Sequence, residues 1–192
     1  MTSKYTKRQL QIIHSAVDLI AKGGMSSLTM NRIASEINVT EPALYRHFKS
    51  KKDILRGVIN LLSQNGQVPN ETEKTGWELI ELIMQGRIQK FINYPSLAAI
   101  VFSEEIFSGD NDLSQQINSL MQVTQERFVR VIHTAQQDGS IREDIKAEQI
   151  ALFMIGAFRF LVTQWRLFGN NFDLNEKAKA LFHDARGLFI VK

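Results

Sequence analysis

Three observations predict an all-helical (all-α) chain. Apolar residues recur at three- and four-residue steps through almost every segment, as amphipathic helices require. Thr, Ser, Gly and Pro fall where those segments begin and end. No stretch shows the alternation of a half-buried strand. The pattern resolves into about nine helices. An N-terminal head with a three-helix helix-turn-helix unit and a fourth helix behind it takes residues 1–62, and a C-terminal helical body takes residues 75–192. At 192 residues the chain can bury a real core, as one domain or as two small ones.

The first helix carries one apolar stripe, Leu10, Ile13, Val17 and Ile20, and Gly23-Gly24 closes it as a C-terminal cap. Thr29 caps the second helix, whose inner face is Met30, Ile33, Ala34 and Ile37. The chain must then turn sharply at Asn38, a residue that tolerates positive φ, and Val39 plugs the corner. Thr40 caps a third helix, and Pro42 fits its first turn, where no intrahelical N–H bond is lost. Leu44 and Phe48 point inward at i and i+4, so Ala43, Tyr45, Arg46 and His47 face outward or sit at the margin. Ser50-Lys51-Lys52-Asp53 resembles a capping box, with Asp replacing Glu, that opens a fourth helix through Ile54, Leu55, Val58, Ile59 and Leu62. Residues 63–74 are polar, contain Gly and Pro, and read as a linker.

The body gives five further helices. Thr75-x-x-Glu78 reads as a capping box for a long helix that stops at Tyr94-Pro95. A shorter helix runs through Leu97, Ile100, Val101 and Phe107 to Ser108-Gly109, and the next from about Leu113 to Gln137, before Asp138-Gly139. Another begins near Ala147 and is apolar around much of its circumference. The last follows Gly169-Asn170-Asn171.

Two short helices joined by a tight turn, with aromatic and basic groups exposed on the second, are how a protein presents a helix to the major groove of DNA. The string Ala43-Leu44-Tyr45-Arg46-His47-Phe48-Lys49-Ser50-Lys51 resembles the signature of the tetracycline-repressor (TetR) family of bacterial transcription regulators, and Ile33-Ala34 and Val39-Thr40 match as well. The motif is specific and covers about the first quarter of the chain; beyond it the likeness is one of length and helical pattern. The resemblance implies that Thr40, Pro42, Ala43 and Tyr45, with Arg46, approach base edges or adjacent phosphates, and that Thr29, His47 and Lys51 grip the DNA backbone. Asn31 stands where many relatives carry Arg for such a contact, and belongs to the same expected surface. Glu41 is best read as favouring the helix N-terminus, although an acid there can accept from cytosine N4.

Charge agrees with a polyanion partner. Residues 1–56 hold ten Lys and Arg against four Asp and Glu, a net +6, which leaves −3 for the rest of a chain whose total is +3. With no cysteine, disulfides and thiolate chemistry are excluded. The first residues, Met-Thr-Ser-Lys-Tyr-Thr-Lys-Arg, carry no apolar segment after their charges, and the longest apolar run, 150–158, is short of a membrane span. The expectation is a cytoplasmic protein without membrane partner, cofactor or metal.

From the family likeness, a homodimer is expected, each copy pairing its last two helices with those of its mate through Phe153, Ala157, Leu161, Leu181, Phe182, Leu188 and Phe189. An effector pocket inside the body would draw on Arg87, Phe91, Phe128, His133, Phe158, Arg159 and Trp165, with Arg159 the best single candidate because Phe158 and Phe160 flank it. The generous Phe content suggests an apolar or aromatic effector. The function implied is a ligand-responsive regulator, in the repressor sense, that binds a palindromic operator as a dimer. The alternative is a DNA-bound adaptor of the same fold that recruits a protein and has no small-molecule effector. Catalysis is not expected: His14, His47, His133 and His183 lie far apart, and no nucleophile elbow or phosphate-cradling Gly loop is present.

Overall fold

A computed structural model describes residues 4–63, 73–102 and 109–191. The described residues form nine α-helices, α1 (Lys7–Gly23), α2 (Met30–Glu36), α3 (Glu41–Tyr45), α4 (Lys51–Ser63), α5 (Gly76–Asn93), α6 (Pro95–Val101), α7 (Asn111–Gln137), α8 (Ala147–Leu167) and α9 (Leu174–Phe189). A single 3-10 turn, Met25–Ser27, separates the first two. Residues 64–72 of the expected linker, and Phe107 and Ser108 at the expected end of the sixth helix, lie outside the described residues.

The chain divides into two compact units, Met1–Gln64 with Ala99–Ile117, and Asn65–Ala98 with Asn118–Lys192. Residues 99–117, read from sequence as part of the body, therefore group with the head. Ion pairs join the start of α7 to α4 within this unit. Asp110 and Asp112, at the start of α7, face the cations of α4: Lys52 Nζ stands 3.0 Å from Asp110 and 3.1 Å from Asp112. Arg56 bridges Asp112 at 2.8 Å and Asp53 at 3.1 Å.

In the head unit α1 packs across α4, and α2 rests on α1 and α3. The crossing is close because Gly57 lacks a side chain; a Cβ there would lie 2.8 Å from Ile13 Cδ1. Ile13, Ile33, Leu44, Ile54 and Val58, from the faces that the helical spacing predicts, are fully buried between these helices together with Ile12 and Leu28, which it did not single out, while Leu10 is only half-buried. Local signals settle the ends. Thr6 and Gln9 form a reciprocal capping box on α1, Gly24 ends that helix at φ 67°, and Asn38 takes φ 53° at the turn. The Thr29 hydroxyl accepts from the Arg32 N–H at 3.2 Å. Thr40 is the N-cap of α3 by backbone conformation, but its hydroxyl makes no capping bond. Ser50 accepts from the Asp53 N–H, and its hydroxyl donates to the Asp53 carboxylate, so only half of the expected box forms.

In the body unit α5 and α8 both pack on α9. Ile80, Met84, Ile88, Phe128, Ile132, Ile150, Val162 and Phe182 form the core. Thr75 precedes α5 without a side-chain capping bond, so the expected box with Glu78 does not form. Gln136 is buried, and its amide donates to the carbonyls of Arg142 at 2.8 Å and Ile145 at 2.7 Å, which pins the loop between α7 and α8. The same loop reaches the end of α9 through the isolated bridge Ile141–Ile190 and the bond from Arg142 N–H to Phe189 C=O at 2.9 Å.

Candidate nucleic-acid interface

The nine residues expected to meet DNA are spaced over α2, α3 and the first turn of α4, and none is buried. Thr29, Asn31, Thr40, Pro42, Arg46 and His47 are exposed, Ala43 and Lys51 are half-buried, and Tyr45 is 46 % exposed. The arrangement follows from α3 being only five residues long and pinned by Leu44 and Phe48. With those two side chains inward, the intervening Tyr45, Arg46 and His47 have no choice but to stand out. An exposed phenol, guanidinium and imidazole side by side offer both phosphate donors and an aromatic face for a base methyl.

Lys51 is partly engaged. Its ammonium lies 3.4 Å from the Met25 carbonyl, which orients the group and leaves further N–H donors for a phosphate. A shallow groove of about 290 Å³ runs beside the surface, lined by Arg8, Ile12, Ile37, Val39, Ala43, Leu44, Arg46 and His47. Gln9 donates through its amide to the His47 carbonyl at 3.3 Å and so ties the start of α1 to the end of the recognition segment. Sequence reading missed both Arg8 and Gln9. The available signal was Thr6-x-x-Gln9, a capping box that fixes where α1 begins.

The charge count also changes meaning. Lys52 and Arg56 belong to the basic end of the sequence but are answered by Asp110, Asp112 and Asp53. Hydrogen bonds to Asp110 and then Asp112 hold the Lys52 pKa above its ordinary value, and those to Asp112 do the same for Arg56. Asp112 is pulled well below the carboxylate range by Gln116, Arg56 and Lys52, and Asp110 is lowered chiefly by Lys52. These two cations are structural, and Lys22 faces Glu36 at 3.6 Å. Arg46 and Lys51, beside the recognition segment, have no carboxylate partner among the described residues.

The residues expected to form an effector pocket separate into two groups. Arg87, Phe91, Phe128 and Phe158 are brought together: Arg87 lies over the Phe128 ring at 5.6 Å, and the Phe91 and Phe158 rings are 5.9 Å apart. Trp165 is buried in the same unit. Arg159 and His133 are exposed, which corrects the expectation that they point inward. On α8 the buried stripe is Ile150, Met154, Phe158, Val162 and Trp165, and Arg159 is turned one residue beyond it. His133 follows buried Ile132 on α7 in the same way.

The residues expected at a dimer interface also divide. Phe153 and Leu188 are 66 % and 64 % exposed, and Ala157, Leu161 and Leu181 are half-buried. Phe182 and Phe189 are buried within the protomer, a second correction; the Phe189 ring rests 6.4 Å from that of Phe153. Phe160 and Leu167 extend the exposed apolar face of α8, at 64 % and 70 %. By length and composition α8 is apolar enough to cross a membrane, with mean hydropathy 1.3, a property hidden from a search for unbroken apolar runs.

A family model described as "Bacterial regulatory proteins, tetR family" matches residues 12–58, and one described as "YsiA-like protein, C-terminal region" matches residues 54–185. The chain belongs to the TetR family of transcriptional regulators. The "Probable acrEF/envCD operon repressor" of Escherichia coli K12 is 24 % identical over 192 residues, covering 96 % of this chain and 87 % of the relative. The "Fatty acid metabolism regulator protein" of Bacillus subtilis is 26 % identical over 174 residues, 87 % of this chain and 88 % of the relative. Among solved structures, the transcriptional regulator FadR from Bacillus subtilis in complex with stearoyl-CoA superposes with a TM-score of 0.73 at 22 % identity, covering 93 % of this chain and 96 % of that one. At that identity the likeness is one of fold.

Proposed function

We propose that the chain acts as a homodimeric repressor on a palindromic operator and is released when a small molecule enters its body. The observation that carries the DNA half is the exposed row Tyr45, Arg46 and His47 on a recognition helix fixed from behind by Leu44 and Phe48. One such head reaches too few phosphates and bases for useful affinity, so two must act together, on half-sites about 34 Å apart or a multiple of that. The exposed stripe Phe153, Phe160 and Leu167 on α8, with Leu188 on α9, supports pairing with a second copy, since a contiguous apolar face of this kind marks a protein interface.

The aromatic cluster around Arg87 and Phe128 supports an effector site in the body. The relative from Escherichia coli is named an operon repressor, the one from Bacillus subtilis a regulator of fatty acid metabolism, and the superposed regulator holds stearoyl-CoA. A largely apolar effector is consistent with all three. Its binding would favour a spacing of the two heads that no longer fits successive major grooves, and a differential of about 1.4 kcal/mol between the two states already changes occupancy tenfold.

The test is a thermal-shift screen of apolar and aromatic metabolites, followed by operator binding with each hit. A ligand that raises the melting temperature and weakens operator binding supports the proposal. Tight operator binding that no stabilising ligand alters supports the adaptor reading instead.

A further inference from the structure

Several partly buried cations in this protein are answered by acids. Lys52 and Arg56 face Asp110 and Asp112, and Arg142 faces Asp144. Arg87 of α5 is different. It is half-buried, its guanidinium lies 5.6 Å from the centroid of the fully buried Phe128 ring, and no carboxylate among the described residues pairs with it. Burial pushes its pKa down, and nothing opposes that shift. One turn along the same face, Lys90 is also pushed down, first by burial and then by the charge of Arg87 itself. The charge of Arg87 is thus felt one turn away, and its own guanidinium lies over an aromatic ring.

A charge withdrawn from water without a counter-charge is costly, and the ring face of Phe128 returns only part of that cost. Arginine is also the side chain best matched to a carboxylate or phosphate, because its planar fork can give two parallel hydrogen bonds. Phe91, four residues on from Arg87, rests against Phe158 of α8, so the guanidinium stands at the end of an aromatic wall.

We propose that Arg87 is the anion anchor of the body: it takes the carboxylate or phosphate of an amphipathic effector whose apolar part lies along Phe91 and Phe158. This rests on the reading that the body binds a small molecule, and adds that the molecule is an anion. An uncharged apolar compound would leave the guanidinium uncompensated.

The test is calorimetric titration of the full chain with decanoate, decanol and decanoyl-coenzyme A, on the wild type, Arg87→Gln and Arg87→Lys. At least one of the two anions should bind wild type about tenfold or more tighter than decanol, the range of a charge-assisted hydrogen bond. The anion that does so identifies the source, a free carboxylate or a phosphate-bearing thioester. Arg87→Gln should bring that ratio to about one, and Arg87→Lys should keep part of it. Equal or absent binding of all three probes to wild type, or an undiminished preference in Arg87→Gln, overturns the proposal. Operator binding without ligand is measured on the same samples. It should be unchanged in Arg87→Gln, which shows that the variant is folded. Failure of wild type to bind any duplex would defeat the regulator reading and leave the anion preference as measured.

Discussion

The head and the body expose opposite kinds of surface. Around α3 the side chains left outside are a phenol, a guanidinium and an imidazole, with Lys51 beside them. Along α8 the side chains left outside are Phe153, Phe160 and Leu167. Both patches are unsatisfied in a lone chain, but in different currencies: the first lacks anions and the second lacks apolar neighbours. The difference teaches that one fold carries two separate kinds of exposed surface, one suited to a polyanion and one that, on the proposed reading, a second copy covers.

Introducing a charge on the apolar face should have the largest effect. If the protein pairs as proposed, Phe160→Asp is expected to give a monomer by analytical ultracentrifugation and to weaken operator binding by about a hundredfold, because two linked heads lose their shared avidity. A variant that stays dimeric would break the contrast between the surfaces.

Next comes the support behind the recognition helix. Leu44→Ala removes a fully buried side chain and should cost about 3 kcal/mol, read as a lower thermal or denaturant midpoint. Tyr45→Ala touches only the exposed side of the same helix. It should leave the midpoint within about 0.5 kcal/mol of wild type while reducing operator affinity about tenfold. The pair separates holding the helix from using it.

The ion-pair cluster gives a smaller, pH-dependent effect. Asp110 and Asp112 have folded pKa values below their unfolded ones, so their contribution is present above the unfolded value of about 4 and is lost as pH falls through the folded values. Asp112→Asn should therefore melt earlier than wild type at pH 7, with the gap closing as pH drops below about 4. These groups remain partly exposed to solvent, so added salt should narrow the gap as well. Smallest of all, Lys51→Ala should weaken binding to every duplex alike and flatten the slope of log affinity against log salt by about one counterion.

The two regions also differ in how far the sequence discloses them. Asn38 at positive φ, the Thr29 cap and the inward Leu44 and Phe48 are fixed by neighbours within four residues, so local chemistry was enough to read them. The same holds for the boundaries of α7, α8 and α9. What escaped depends on distance along the chain or on helix rotation. Gln9 meets the His47 carbonyl across 38 residues, and Arg56 meets Asp112 across 56. No spacing rule links such pairs. Arg159 was chosen over Arg87 because aromatic residues flank it in sequence, yet in a helix adjacent residues point about 100° apart. Its neighbour Phe158 took the core and turned Arg159 outward, whereas Arg87 shares its face with Phe91. Phe182 and Phe189 failed as interface residues for the same reason: periodicity shows that a face is apolar but not which neighbour covers it.

Selection of bound duplexes from a random pool by the full chain tests the central claim most directly. The account predicts enrichment of a palindrome whose half-sites lie about one helical turn apart or a multiple of it, and loss of that enrichment with Tyr45→Ala. A pool that emerges without any enriched sequence, or a palindrome recovered equally well by the variant, would contradict it.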